Sequence, residues 1–274
     1  MRAEANIGHD IIASVNTVTA STAAPPRRFE WSRVLPALVR PRQVLAWVLE
    51  QERAVWLTPL LIISVAAVLQ VLAVGTIRRE MALTGEVALP EGFEFYGPDQ
   101  QAQFLQAQAA TTSTTFVYVL PAAGALLAVW LGWLYTGGGL HLALTVVGSR
   151  TTSASILNLA AWAGLPYAVR SLVRAAFVYL GHRLITAPGV SGFAPSTGEG
   201  LGLLALVVLG LVDVYLIWHA ILLVIGVRML PGATATKAWG AVLMTVVVGL
   251  LLQALPGYLA ARLSGMTVIR PFLF

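Results

Sequence analysis

Cysteine is absent from all 274 residues, which excludes disulfides, thiolate metal sites and cysteine nucleophiles and leaves the redox compartment unread. Charge is nearly as scarce: 11% of residues are charged against 58% hydrophobic, a balance that leaves a soluble domain without enough polar surface to stay dispersed. Catalytic patterns are missing as well. There are no paired carboxylates at proteolytic spacing, no Gly-x-Ser-x-Gly elbow and no phosphate-binding loop, since Gly137, Gly138 and Gly139 are not followed by a lysine. No catalytic residue, cofactor or metal is therefore assigned, and an enzyme is the weakest class. The net charge of +5 has a simpler source than nucleic acid, namely the accumulation of Lys and Arg on the cytoplasmic side of a membrane.

What the chain does have is length in its apolar runs. A hydrocarbon core about 30 Å thick takes about 20 helical residues to cross. Residues 54–77, 116–135, 156–180, 201–227 and 238–261 all reach that length, and they are continuously apolar instead of alternating as barrel strands do. The expected fold is all-α, an integral bundle of five transmembrane helices over residues 54–262. Residues 1–30 read as a flexible cytoplasmic tail and residues 263–274 as an extracytoplasmic one. No signal-peptide core is evident near the start, so the first span is expected to be retained as an anchor. With the amino terminus inside, ten basic residues fall on the cytoplasmic side and five outside, which points to a multi-pass protein of a plasma (inner) membrane with its carboxyl terminus extracytoplasmic.

Residues 31–53 form an amphipathic segment. Trp31, Val34, Leu35 and Leu38 share a helical face, and Val44, Leu45, Val48 and Leu49 repeat the spacing after Pro41. Trp31, Arg40, Arg42, Trp47 and Arg53 are candidates for contact with the bilayer surface; equally, the apolar face can pack onto the ends of the spans. Of the connections, residues 78–115 should carry a polar helix starting near Pro98 and Asp99. The glycines at 137–139 are expected to break the chain, with a short interfacial or re-entrant helix after them. Residues 181–200, rich in Gly, Pro and Ser, read as a flexible loop.

The stretches "LVRPRQVLAWVLEQERAVWLTPLLI" and "GGGLHLALTVVGSRTTSASILNLAAWAGLP", with the five close-set spans, resemble the bacterial branch of the Yip1 domain family over roughly residues 35–260. The residues that carry the likeness in the second stretch are Gly138, Gly139, His141, Gly148, Ser153 and Pro166. The resemblance implies a cytoplasmic amino terminus and a non-enzymatic adaptor or accessory role. Eukaryotic relatives are adaptors of vesicle traffic that contact small GTPases, and some bacterial relatives look like accessory or assembly factors for export machinery. The Asp-Leu-Tyr-Gly-Pro motif of the eukaryotic proteins is missing; Phe95, Tyr96, Gly97 and Pro98 echo it on the expected outer side, so GTPase binding does not carry over.

One constellation could carry chemistry. Asp213 is the sole acidic residue deep within a span, and Arg170 and Arg174 are the comparably deep basic ones. Counted from the outer ends, Asp213 and Arg170 lie at similar depth on helices of opposite direction, and a charge at that depth demands a partner. The group is either a lock between two spans or a proton or ion site. His219, six residues beyond Asp213, is turned about 120° from it and makes a poor relay. His141 and His182 fall on opposite sides of the membrane, so no zinc site is expected. Pro59, Pro121, Pro166 and Pro256 should bend their spans, while Trp130, Trp133, Trp162, Trp218 and Trp239 read as headgroup anchors or lipid-facing packing. The leading expectation is a scaffold or accessory subunit of a membrane complex, in contact with the bilayer and another membrane protein, with self-association left open. A small transporter or channel component using Asp213, Arg170 and Arg174, or a membrane-shaping protein acting through residues 31–53, are the alternatives.

Overall fold

The computed structural model describes residues 29–84, 93–149, 151–193 and 200–266. The tail through residue 28, Glu86, Glu91, Arg150 and residues 267–274 lie outside them. Among the described residues the regular structure is helical throughout. Two short helices come first, α1 (Val34–Val39) and α2 (Pro41–Leu49), followed by the long α3 (Leu57–Thr84) and the polar α4 (Pro98–Thr111). A π-helical turn at Thr115–Val119 leads into α5 (Leu120–Val146). Then come α6 (Ser153–Ala163), α7 (Leu165–Gly181), α8 (Gly200–Leu211), α9 (Val214–Val227) and α10 (Ala235–Met266).

Four stretches are long and apolar enough to cross a membrane: Leu57–Ala82, Thr115–Val146, Ser153–Gly181 and Ala235–Ala260. The fourth expected span is not one straight helix. It is a pair, Leu201–Leu211 and Val214–Val227, bent by 67° at Val212 and Asp213. The bundle has a centre and a periphery. In the most apolar window of Ser153–Gly181, 67% is buried inside the protein, against 6% for Thr115–Val146, whose sides face outward.

The main core sits at the end of the bundle where α5 finishes and α6 begins. Leu140 and Leu144 of α5, Ile156, Leu159 and Trp162 of α6, Leu223 and Val227 of α9, and Ala238 and Val242 of α10 close around Val44, Leu45 and Val48 of α2. The apolar face of the amphipathic segment is thus turned into the protein after Pro41. A smaller cluster of Ile63, Ala66 and Ala168 joins α3 to α7.

Several expectations are corrected. The three glycines do not break the chain: α5 runs unbroken through them to Val146, and no short re-entrant helix follows. Where the surroundings offer no water, a backbone keeps its hydrogen bonds by staying helical. Glycine instead permits close approach, since a Cβ on Gly137 would lie 2.6 Å from Leu157 Cδ2. Pro59 does not kink a helix interior, because it stands in the first turn of α3, where the missing N–H has no intrahelical partner, whereas Pro166 stands just after Gly164, where the span Ser153–Gly181 is interrupted between α6 and α7. Pro121 lies within the span Thr115–Val146, directly after its π-helical turn, and Pro256 lies inside α10. Trp162 is not at the lipid surface but fully buried. The connection after α7 is not a free loop through its described part, since Val190 is hydrogen-bonded to α8.

Candidate functional site

The bend between α8 and α9 is held open by Asp213. A carboxylate is a preferred N-cap because its oxygen accepts the amide hydrogens that a first helical turn leaves over. Here Oδ1 accepts from Tyr215 N at 3.1 Å and Leu216 N at 3.0 Å. The second oxygen, Oδ2, faces α7, where Arg170 and Arg174 are one turn apart and share a face. It meets Arg170 Nη1 at 3.5 Å and Arg174 Nη2 at 3.2 Å. Sequence counting named these three residues, and the fold brings them together. Asp213 is 10% exposed and the arginines 26% and 24%, so the carboxylate is enclosed while the guanidinium groups reach the protein surface. Arg170 also lies over the Tyr167 ring, 4.8 Å from its centroid. Two cations share one anion, which leaves the cluster with a formal excess of +1.

The carbonyls freed at the end of α8 are met by the incoming connection. Val190 N donates to Leu209 O and Val212 O, both at 3.1 Å. The approach requires glycine just before it: Gly189 has φ +61°, and a Cβ there would stand 2.5 Å from Val212 O and 2.7 Å from Leu209 O. Both ends of the break thus find partners within the protein, two amide hydrogens on Asp213 and two carbonyls on Val190.

His219 has no place in this cluster. It is buried on α9, its Nδ1–H donates to Ala163 O at 2.8 Å, and its ring packs on Tyr167 with centroids 4.9 Å apart. It serves a carbonyl beside the α6–α7 junction.

The residues that carry the family likeness do not converge on one point. Gly138 faces open space, and a Cβ on Gly139 would lie 3.4 Å from Thr245 of α10. Pro166 stands at the start of α7. Gly148, with φ +79°, ends α5 in a Schellman turn: Ser149 N donates to Leu144 O at 2.9 Å and Gly148 N to Thr145 O at 3.0 Å. Beyond it, Thr152 caps α6 by accepting from Ser155 N, and Ser153 opens the helix. His141, Thr145, Ser149, Thr151 and Thr152 line an open cleft of about 500 Å³ between these two helix ends.

The proposed surface contacts divide. Trp31, Arg40 and Arg42 are exposed, with Trp31 stacked on Phe29, and Leu35 and Val39 beside them are exposed too. Trp47 instead packs edge-on against Trp162 with Arg33 3.9 Å above its ring, and Arg53 pairs with Glu30 at 3.4 Å. Between α2 and α3 the chain crosses α6 as a strap that no local pattern announced. Asn158 Oδ1 accepts from Val55 N at 2.9 Å, Asn158 Nδ2 donates to Arg53 O at 2.9 Å, and Trp162 Nε1 donates to Val55 O at 3.0 Å.

Among the described residues no group of three His, Cys, Asp or Glu stands close enough to hold a metal. The pattern that defines the Yip1 domain matches residues 37–256. No curated protein and no solved structure matches the chain.

Proposed function

The chain belongs to the Yip1 domain family, a family of multi-pass, non-catalytic membrane proteins, and from that premise we propose that it is a scaffold or accessory subunit of a larger membrane assembly. The observation that supports this reading is the state of Asp213. Both of its oxygens are engaged, one by two amide hydrogens and the other by two arginines, which suits a fixed interhelical lock better than a site that gains and loses a proton. The outward sides of α5, with Leu127, Leu131 and Leu134 exposed, are available to lipid or to a companion protein. Purification from native membranes in mild detergent is expected to bring a stoichiometric companion, identified by mass spectrometry. A lone monomer would count against the role.

Counting the bent pair as one span gives five, and with the basic residues before α3 on the cytoplasmic side of a plasma membrane the termini fall on opposite sides. Reporter fusions at the two ends should then be active in different compartments. Two reporters active on the same side would make the bent pair a re-entrant loop.

A second reading is favoured by the break itself. Transporters build ion and substrate sites at discontinuous helices near the bilayer midplane, and here the break carries charge. In that case Asp213, Arg170 and Arg174 line a path, and the protein reconstituted alone into vesicles moves a solute.

A further inference from the structure

Five buried side-chain atoms lack a hydrogen-bond partner among the described residues, and three of them, His141 Nδ1, Ser149 Oγ and Thr151 Oγ1, belong to the single cleft between the end of α5 and the start of α6. An unmade hydrogen bond at a buried polar atom costs about 1–3 kcal/mol, so three in one place ask for a common partner. Ser149 is only 8% exposed, yet its hydroxyl is free, while its backbone is already fixed by the Schellman turn. The other two lining hydroxyls are committed: Thr145 Oγ1 donates to His141 O at 2.8 Å, and Thr152 Oγ1 is 2.8 Å from Ser155 Oγ.

The free groups are two hydroxyls and an imidazole nitrogen, all of which can donate. They stand before the amino-terminal turn of α6, an 11-residue helix whose first amide hydrogens give that end a partial positive charge. A cleft whose lining has no carboxylate and carries three unpartnered donor groups beside a helix amino terminus is suited to an oxyanion with several acceptor oxygens. Its location narrows the choice. The cleft is bounded by the end of Thr115–Val146 and the beginning of Ser153–Gly181, both long enough to cross a bilayer, and so falls at the level of lipid headgroups.

We propose that this cleft binds a phosphate group, carried by a lipid headgroup or free in solution, through Ser149, Thr151 and His141. The site is separate from the Asp213 cluster and holds its ligand whichever partner the chain serves.

The test uses the full chain in a non-phosphate detergent, with thermal unfolding followed at matched ionic strength in chloride, in inorganic phosphate, and with added short-chain phosphatidic acid below its micelle concentration. A rise in Tm with inorganic phosphate identifies a free-phosphate site, and a rise with phosphatidic acid alone identifies a headgroup site. Either supports the proposal. Ser149→Ala and Thr151→Val should each keep or raise the parent Tm in chloride, because the deleted hydroxyls have no partner there, and each should weaken the responding probe about tenfold, as expected for one lost hydrogen bond to a charged group. Absence of a shift with either probe overturns the proposal. So does a shift of full size in the Ser149→Ala/Thr151→Val double variant, or a fall in Tm of both single variants in chloride, which would make the hydroxyls structural.

Discussion

Asp213→Asn lowers the unfolding stability of the detergent-solubilised protein by about 3 kcal/mol, and abundance in the membrane falls with it. Asparagine keeps the cap, since its carbonyl oxygen can still accept from Tyr215 N and Leu216 N. The loss therefore isolates the charge. Removing one partner of a buried ion pair costs about 3–5 kcal/mol because the other charge stays behind uncompensated, and here two guanidinium groups stay behind. Their partial exposure places the effect at the low end of that range. Asp213→Ala removes the cap as well and should cost about 1 kcal/mol more. Replacing Arg170 and Arg174 by leucine together with Asp213→Asn should recover most of the loss, because an apolar replacement of a buried charge group is often close to neutral. Unfolding titrations in one fixed detergent measure all three variants. An Asp213→Asn protein as stable as its parent would remove the lock, and if it also lost a solute flux that the parent shows, the cluster would belong to a transport path.

That cluster was legible in the sequence because depth can be counted along an apolar run, and because charges in such runs have few partners to choose from. The break that holds it was not. The local signs are Gly210, two residues before Val212, and the aspartate itself, a good N-cap set inside a span, and neither alone separates a break from a continuous helix. The opposite error occurred at Gly137, Gly138 and Gly139, where three breakers in a row leave α5 intact. A turn signal carries the meaning it has in water only where water can take up the freed backbone groups; elsewhere the same glycines mark contact with Leu157 and Thr245. Trp162 was misread for a related reason. Its length of side chain and polar tip suit a headgroup anchor, but the tip is used on Val55, more than a hundred positions away in sequence. The periodicity of residues 31–53 could not say whether lipid or protein would cover their apolar face. Beyond Pro41 protein covers it, while Trp31, Leu35 and Val39 are left outside.

Asn158→Leu should cost about 2–4 kcal/mol, and its cause can be separated from ordinary packing by what it releases. The side chain is fully buried, and leucine keeps its branched outline with larger terminal groups, so no cavity is left. What is lost are two hydrogen bonds at once, leaving Val55 N–H and Arg53 C=O without partners at a cost of about 1–3 kcal/mol each before relaxation. Trp162→Phe keeps an aromatic ring against Trp47 and removes the bond to Val55 O, for about 1–2 kcal/mol. The two changes act on one three-residue strap, so the double variant should cost clearly less than their sum: once Asn158 lets the strap go, the bond from Trp162 is already broken. Release of the strap also frees the linker that holds α2 against α6 and α9. Arg53, tied to Glu30 in the parent, should then be cut by trypsin under native conditions at least several times faster in Asn158→Leu, at an unchanged detergent and temperature. Additive losses with no change in cleavage at Arg53 would show that Asn158 and Trp162 merely fill the core. Sub-additive losses with faster cleavage would show that the amphipathic segment is fastened to the bundle through these two side chains, and that residues 31–53 can leave the bundle for the lipid surface only when that fastening is undone.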